Sequence, residues 1–225
     1  MSKLLEVYYF FKASPIPKVH YEEYIFGDDF FINKEEQKKG NVTELESRVI
    51  AHLVRHFKPT TIFEIGTFNG YSTLNMAMNT PPDTLIYTLD LPQEMLPNTG
   101  MKVDANETEY INKSISGAFF IHHEASNKIV QLYGDTYSFD FTPYYKSVDF
   151  IFIDASHTYK YVANDTEKAL NLLSEKGGVL LWHDYNSVTF KGVTRYLNEK
   201  YFGDKRFKDI KVIKGTSLTI LTIKG

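Results

Sequence analysis

Apolar positions recur along this chain in two rhythms, and their alternation predicts the fold. From Thr43 the rhythm is helical: Leu45, Val49, Leu53 and Phe57 fall four apart, and Ile50 and Val54 widen the stripe. Thr43 and Glu46 have the spacing of a capping box, and Pro59 follows the helix end. Short, continuous apolar runs then take over at 61–65, 85–89, 129–133, 148–153 and 179–182. Helical stretches follow the first, fourth and fifth of these, beginning near residues 71, 161 and 193. Runs apolar on both faces suit parallel strands covered by helices. The order predicts an α/β protein with a doubly wound, mostly parallel, seven-stranded sheet and helices on both faces. Its last two strands, 210–213 and 218–223, flank Lys214-Gly215-Thr216 and predict an antiparallel hairpin.

Two stretches lack a clean period. Residues 1–42 carry Tyr8, Tyr9, Phe10, Phe11, Tyr21, Tyr24, Phe26, Phe30 and Phe31 and are broken by Pro15, Pro17 and Gly27. They read as an aromatic-rich extension before a main domain at 43–225: a cap over the site, an arm packed on a second subunit of a homo-oligomer, or a segment laid on the core. Aromatic side chains serve packing first, which favours the last. Residues 91–127 exceed a simple crossover, with a helical stretch expected over 107–121 and a lid or substrate loop before it. His122 and His123 are adjacent, so their side chains would diverge and not share a metal.

Composition narrows the function classes. The chain has 225 residues, 43% hydrophobic and 24% charged, with a formal net charge of -3. That is a soluble, globular composition. No basic tract speaks for nucleic acid. The N-terminal apolar run is interrupted by Glu6 and ended by Lys12, too short to span a bilayer. A cytoplasmic protein acting on a small molecule is the expectation. With no cysteine, thiolate catalysis, disulfides and cysteine-ligated zinc are excluded.

Chemistry-bearing residues gather at the strand ends. Glu64, Gly66, Asp90, Gly134, Asp135, Asp154, His183 and Asp184 all follow or close apolar runs, and in an open α/β sheet ligands bind beyond those ends. The turn after the first strand reads Glu64-Ile65-Gly66-Thr67-Phe68-Asn69-Gly70-Tyr71-Ser72. Gly66 and Gly70 allow the backbone to bend toward a ligand, and the amides of Tyr71 and Ser72 open a helix. A dinucleotide fingerprint would be Gly-x-Gly-x-x-Gly; here it is Gly-x-x-x-Gly with an acid in front. That acid suits a positively charged ligand better than a pyrophosphate.

The turn resembles the first motif of class I S-adenosylmethionine-dependent methyltransferases, in the catechol and caffeoyl-CoA O-methyltransferase branch. The resemblance implies cofactor contacts from Glu64, Gly66, Thr67, Gly70, Tyr71 and Ser72, with Asp90 on the ribose. It implies Gly134, Asp135 and Thr136 at the adenine, and Asp154 at the reacting end. Asp154-Ala155-Ser156-His157 resembles the Asp-x-x-His segment of macrolide-sugar O-methyltransferases, making Asp154 and His157 catalytic, with His157 the general base. Trp182-His183-Asp184 resembles that group's paired metal ligands, so Asp154, His183 and Asp184 would hold a divalent cation such as Mg²⁺ or Mn²⁺. His183 replaces a carboxylate there, which shifts preference toward Mn²⁺, Fe²⁺ or Zn²⁺ or abolishes the site. In a regular strand His183 and Asp184 would face opposite sides, so both ligate only if the strand has already turned. Otherwise they orient substrate or each other. The implied reaction is methyl transfer from S-adenosylmethionine to a hydroxyl of a small molecule, a sugar or other polyol. The rival readings are an NAD-dependent oxidoreductase and a methyltransferase-like binding protein without catalysis.

Overall fold

A computed structural model describes residues 14–24, 30–33 and 39–225. Its described strands form one sheet: β1 (Lys18–His20), β2 (Thr61–Ile65), β3 (Leu85–Asp90), β4 (Ile129–Tyr133), β5 (Phe150–Ile153), β6 (Gly177–Trp182), β7 (Lys211–Lys214) and β8 (Thr219–Lys224). They lie in the order β1-β7-β8-β6-β5-β2-β3-β4. Every pairing is parallel except those of β8, which runs antiparallel to both β6 and β7.

The sheet therefore has eight described strands, one more than the apolar runs predict. The addition is Lys18–His20, which pairs in parallel with Val212–Lys214 at the sheet edge. Its Lys-Val-His sequence buries only Val19, so no apolar run announces it; the free ladder of β7 supplies the pairing. Nearby, Ile16 is buried in the core and Ser14 Oγ lies 2.7 Å from the Tyr185 hydroxyl. The Phe31 and Asn33 amides donate to Asn79 and Asn75 at 2.9 and 2.8 Å. Tyr8, Tyr9, Phe10, Phe11 and Phe26 lie outside the described residues.

The helices are α1 (Glu44–Phe57), α2 (Tyr71–Met78), the single turn α3 (Thr108–Ile111), α4 (Tyr159–Leu172) and α5 (Lys191–Gly203). The capping box at Thr43 and Glu46 forms as its spacing requires. The helix expected over 107–121 does not extend past Ile111. Gly117 turns at φ +73, and the Gly117 and Phe119 amides donate to Phe68 and Asn69 carbonyls, not to their own preceding turn. Tertiary hydrogen bonds to the glycine turn have replaced the helical ladder.

Alternate side chains of each central strand feed two cores. Phe63, Ile65, Ile151 and Trp182 pack with α4 and α5 residues such as Val162 and Leu197. Ile62, Phe150, Phe152 and Val179 pack with Val49, Leu53 and Met76 of α1 and α2. From β2 the chain moves outward to β3 and β4, then returns beside β2 as β5 and continues to β6. This reversal leaves a crevice at the carboxyl ends of β2 and β5. Among the described residues, no helix is long and apolar enough to cross a membrane.

Candidate active site

The close approach of two strand tips sets the floor of the crevice. Ile65 is level with Ile153, so Gly66 and Asp154 leave the sheet side by side. Gly66 has φ +104, and a Cβ there would stand 2.1 Å from the Asp154 carbonyl oxygen. Only glycine fits. Gly70, at φ +83, starts α2, and a Cβ there would meet the Phe120 ring at 2.5 Å.

Glu64, expected beside the cofactor, lies beneath the turn. It is fully buried and accepts hydrogen bonds from Ser72 Oγ and Thr88 Oγ1, both at 2.6 Å, and from Thr73 Oγ1. Because Thr88 donates to Glu64, its 2.7 Å contact with Thr67 Oγ1 must be donated by Thr67, which in turn accepts from Gln131 Nε2 at 3.0 Å. The carboxylate ends a hydroxyl chain beneath the turn and is not among the residues that line the crevice. Tyr71 is also structural: its amide is taken by Asn69 Oδ1 at 3.2 Å and its hydroxyl donates to the Asn33 carbonyl. Glu64, Gly70 and Tyr71 frame the turn; Gly66, Thr67 and Ser72 face the crevice.

Burial raises the Glu64 pKa to about 7, against the lowering effect of its three hydroxyl donors. A carboxyl raised above its unfolded value binds a proton on folding, so its contribution is complete below about pH 4.5 and lost as pH rises through about 7. Glu64→Gln should flatten the stability profile across that window, by on the order of 3 kcal/mol. Urea unfolding of both proteins at pH 5 and pH 8 checks this; parallel profiles would exclude the effect.

The next two strands complete the rim. Asp90 closes β3 and lines the crevice with Gly134, Asp135 and Thr136. Asp90 accepts from the Phe68 amide at 3.3 Å and from Ser116 Oγ, and pairs with Lys113 Nζ at 2.6 Å. A carboxylate has about four acceptor positions, so one stays open to a further donor. Asp135 accepts from the Gly100 amide at 2.7 Å and the Tyr161 hydroxyl at 3.0 Å, tying the 91–104 segment to α4.

At the inner end stand Asp154, His157, His183 and Asp184. The strand has turned where both of the last two need it to: Asp184 has φ +60. His183 Nδ1 consequently lies 3.2 Å from Asp154 Oδ1 and 3.1 Å from Asp184 Oδ2. His157 Nε2 lies 2.7 Å from Asp184 Oδ2 and 3.9 Å from Asp154 Oδ1. Despite these ion-pair distances the enclosed nitrogen makes no hydrogen bond. The His157 ring stacks on Phe190 with centroids 4.0 Å apart. Gly192 makes room for that contact, since a Cβ there would meet the His157 carbonyl at 2.2 Å.

Electrostatics follow from this crowding. Burial alone would lower the His157 pKa, but Asp154, Asp184 and Glu107 outweigh it and hold the imidazole well above the usual histidine range. His183 is raised in the same way by Asp154, Asp184 and Glu46. Burial opposes ionisation of Asp184, and the two histidines reverse that and push its pKa well down. Without a bound cation the carboxylates favour the protonated form of both imidazoles, and a cation bound to the same groups would displace those protons.

The donor set fits a divalent cation. Ligand atoms of Asp154, His157 and Asp184 all lie within 4.8 Å of one another, and the His157 Nε2 is buried there without a hydrogen bond. His183 Nδ1 adjoins the same two carboxylates. The ligand cluster is thus Asp154, His157 and Asp184; of the expected trio, His183 borders it through the same two carboxylates.

Several residues of this centre carried no signal of their own. Glu46 had a sufficient explanation as a capping residue, and Glu107 lies in a stretch without clean periodicity. Lys113, Ser116 and Phe190 reach the site only through long-range folding. The spacing of Thr43 and Glu46 was legible; the His183 contact of Glu46, across 137 residues, was not.

The sheet order, terminal hairpin and rim define a Rossmann-like methyltransferase fold. A methyltransferase-domain family model matches residues 63–185. A putative caffeoyl-CoA O-methyltransferase of Arabidopsis thaliana is 30% identical over 175 residues, covering 72% of this chain and 67% of the relative. A caffeoyl-CoA O-methyltransferase of Stellaria longipes is 29% identical over 138 residues, or 61% and 51% of the two chains. The chain spans about half to two thirds of these relatives' lengths. Among solved structures, a putative O-methyltransferase from Klebsiella pneumoniae aligns at TM-score 0.55 and 20% identity over 84% of each chain. An O-methyltransferase from Bacillus cereus in complex with SAH aligns at TM-score 0.54, also at 20% identity and 84% coverage of each. The chain belongs to the methyltransferase domain family, as an S-adenosylmethionine-dependent O-methyltransferase of the caffeoyl-CoA type. The NAD-dependent reading falls with that membership.

Proposed function

We propose that this protein transfers a methyl group from S-adenosylmethionine to a hydroxyl of a small molecule bearing neighbouring hydroxyls, with a divalent cation at the inner end of the crevice. One observation carries the reading: Asp90, Asp135 and the glycine turn share a single crevice with Asp154, His157, His183 and Asp184. The nucleoside would lie along Asp90, Gly134 and Asp135, with the reacting end toward Asp154. A bound cation would lower the acceptor hydroxyl pKa and hold its oxygen in place. In the transfer the oxygen forms a bond to the methyl carbon as the carbon–sulfur bond breaks, its electron pair going to sulfur. The hydroxyl proton is lost to water as the cation acidifies the oxygen; only with no cation bound is His157 Nε2 placed to accept it. Otherwise the chain's work is alignment and exclusion of water. Phe190, stacked on His157, and Tyr110 line the crevice wall.

The test is calorimetry with S-adenosylhomocysteine, followed by turnover of a panel of catechols, caffeoyl-CoA and sugars with and without Mg²⁺ or Mn²⁺. Binding plus cation-dependent turnover is expected; binding with no turnover across the panel would favour the non-catalytic alternative. Asp90→Asn should weaken S-adenosylhomocysteine binding roughly tenfold, about 1.4 kcal/mol, by removing the charged acceptor for a ribose hydroxyl. An unchanged Kd would place the ribose elsewhere.

A further inference from the structure

Each histidine of the cluster turns one ring nitrogen to the aspartates and the other to a buried glutamate. His157 Nδ1 lies 3.0 Å from Glu107 Oε1, which also accepts the His157 backbone N–H. His183 Nε2 lies 3.3 Å from Glu46 Oε2. Glu107 and Glu46 are only 4% and 3% exposed, and neither stands at a strand tip. Both are held by other donors. Glu46 accepts from the Thr43 amide and hydroxyl at 2.8 Å and from the Ser217 amide and hydroxyl at 2.7 Å. Glu107 accepts from Ser156 Oγ at 2.9 Å and the Asp104 amide at 3.2 Å.

We propose that Glu46 and Glu107 are positioning residues, each holding the outer nitrogen of one histidine so that His183 Nδ1 and His157 Nε2 join Asp154 and Asp184 as a two-nitrogen, two-oxygen set for a first-row transition ion. This rests on the cation reading above and extends it to the identity of the ion and the residues that aim its ligands.

The distances support the set. Bonds of about 2.0–2.2 Å place neighbouring ligand atoms about 2.8–3.6 Å apart, from octahedral to tetrahedral angles. The two His183 contacts, at 3.1 and 3.2 Å, fall in that range, and the two His157 contacts, at 2.7 and 3.9 Å, bracket it. A carboxylate behind a ligating histidine fixes its ring and raises its basicity. Phe190 restrains the same ring of His157 by stacking. Two imidazoles favour Mn²⁺, Fe²⁺, Co²⁺ or Zn²⁺ over Mg²⁺, which prefers oxygen donors and water. The two supports come from opposite parts of the chain, the first turn of α1 and the segment before α3. The centre therefore assembles only when both pack against the β5 and β6 tips.

The experiment uses the full chain stripped of metal, with Co²⁺ and Mg²⁺ as probes, calorimetry for affinity and Co²⁺ visible absorption for the ligand field. Wild type should bind Co²⁺ at least about a hundredfold more tightly than Mg²⁺. Glu107→Gln and Glu46→Gln should each weaken Co²⁺ binding about ten- to a hundredfold and alter the absorption band, with Mg²⁺ affinity changed much less. Glu107→Asp should recover part of the loss. If both glutamine variants bind Co²⁺ with wild-type affinity and spectrum, the positioning role is overturned while the cation reading stands. If wild type binds neither ion, the cation reading itself fails and this inference with it. Glu46 also caps α1, so should Glu46→Gln fail to fold, Glu107→Gln decides alone.

Discussion

Asp154→Asn is expected to lower kcat/KM about a thousandfold, near 4 kcal/mol of transition-state stabilisation, with the fold intact. Asp154 closes β5 between the two histidines, its Oδ1 3.2 Å from His183 Nδ1 and 3.9 Å from His157 Nε2. Asparagine keeps the shape but removes the charge that both imidazoles face. A cation would lose one of its two aspartate ligands, and the reacting end of the crevice its fixed negative group. The unfolding midpoint should move by only a few degrees and S-adenosylhomocysteine affinity by less than about tenfold. The loss should then appear in kcat. Steady-state kinetics with an acceptor from the panel, beside calorimetry on the same preparation, separate the terms. Activity within tenfold of wild type would remove Asp154 from the chemistry.

Gly66→Ala should be the most damaging single-methyl addition in the crevice floor. At φ +104 an L-residue is strained by roughly 1–3 kcal/mol. The new Cβ would also stand 2.1 Å from the Asp154 carbonyl, an overlap relieved only by parting the β2 and β5 tips, for roughly another 1–3 kcal/mol. Together these predict a loss of about 2–6 kcal/mol in urea unfolding. The folded fraction should also bind S-adenosylhomocysteine poorly, because the turn and Asp154 no longer hold one register. Wild-type stability in the alanine variant would show that the tips tolerate separation and that the close approach is not what shapes the floor.

The sheet's central strands were legible because they are buried on both faces and so must be continuously apolar. Phe150–Ile153 and Gly177–Trp182 leave little choice of element. The edge strand Lys18–His20 was not legible, because one buried valine suffices there and the pairing energy comes from the neighbouring backbone. The stretch 107–121 misled for the converse reason. Its local pattern permits a helix, yet Gly117 and Phe119 find better backbone partners in the glycine turn.

At the site, the sequence by itself determined which residues cap the strands, since a side chain that follows an apolar run must leave the sheet at the ligand-binding end. That much placed Asp90, Asp135, Asp154, His183 and Asp184 around one crevice. Only the tertiary structure decided what each carboxylate does. Glu64 turned inward onto three hydroxyls, whereas Glu46 and Glu107, remote in the chain, came to stand behind the two histidines. The physical reason is range. Apolar periodicity is a local property of the chain, but a carboxylate's role depends on which donors packing brings within about 3 Å of it, and those donors lie up to 171 residues away.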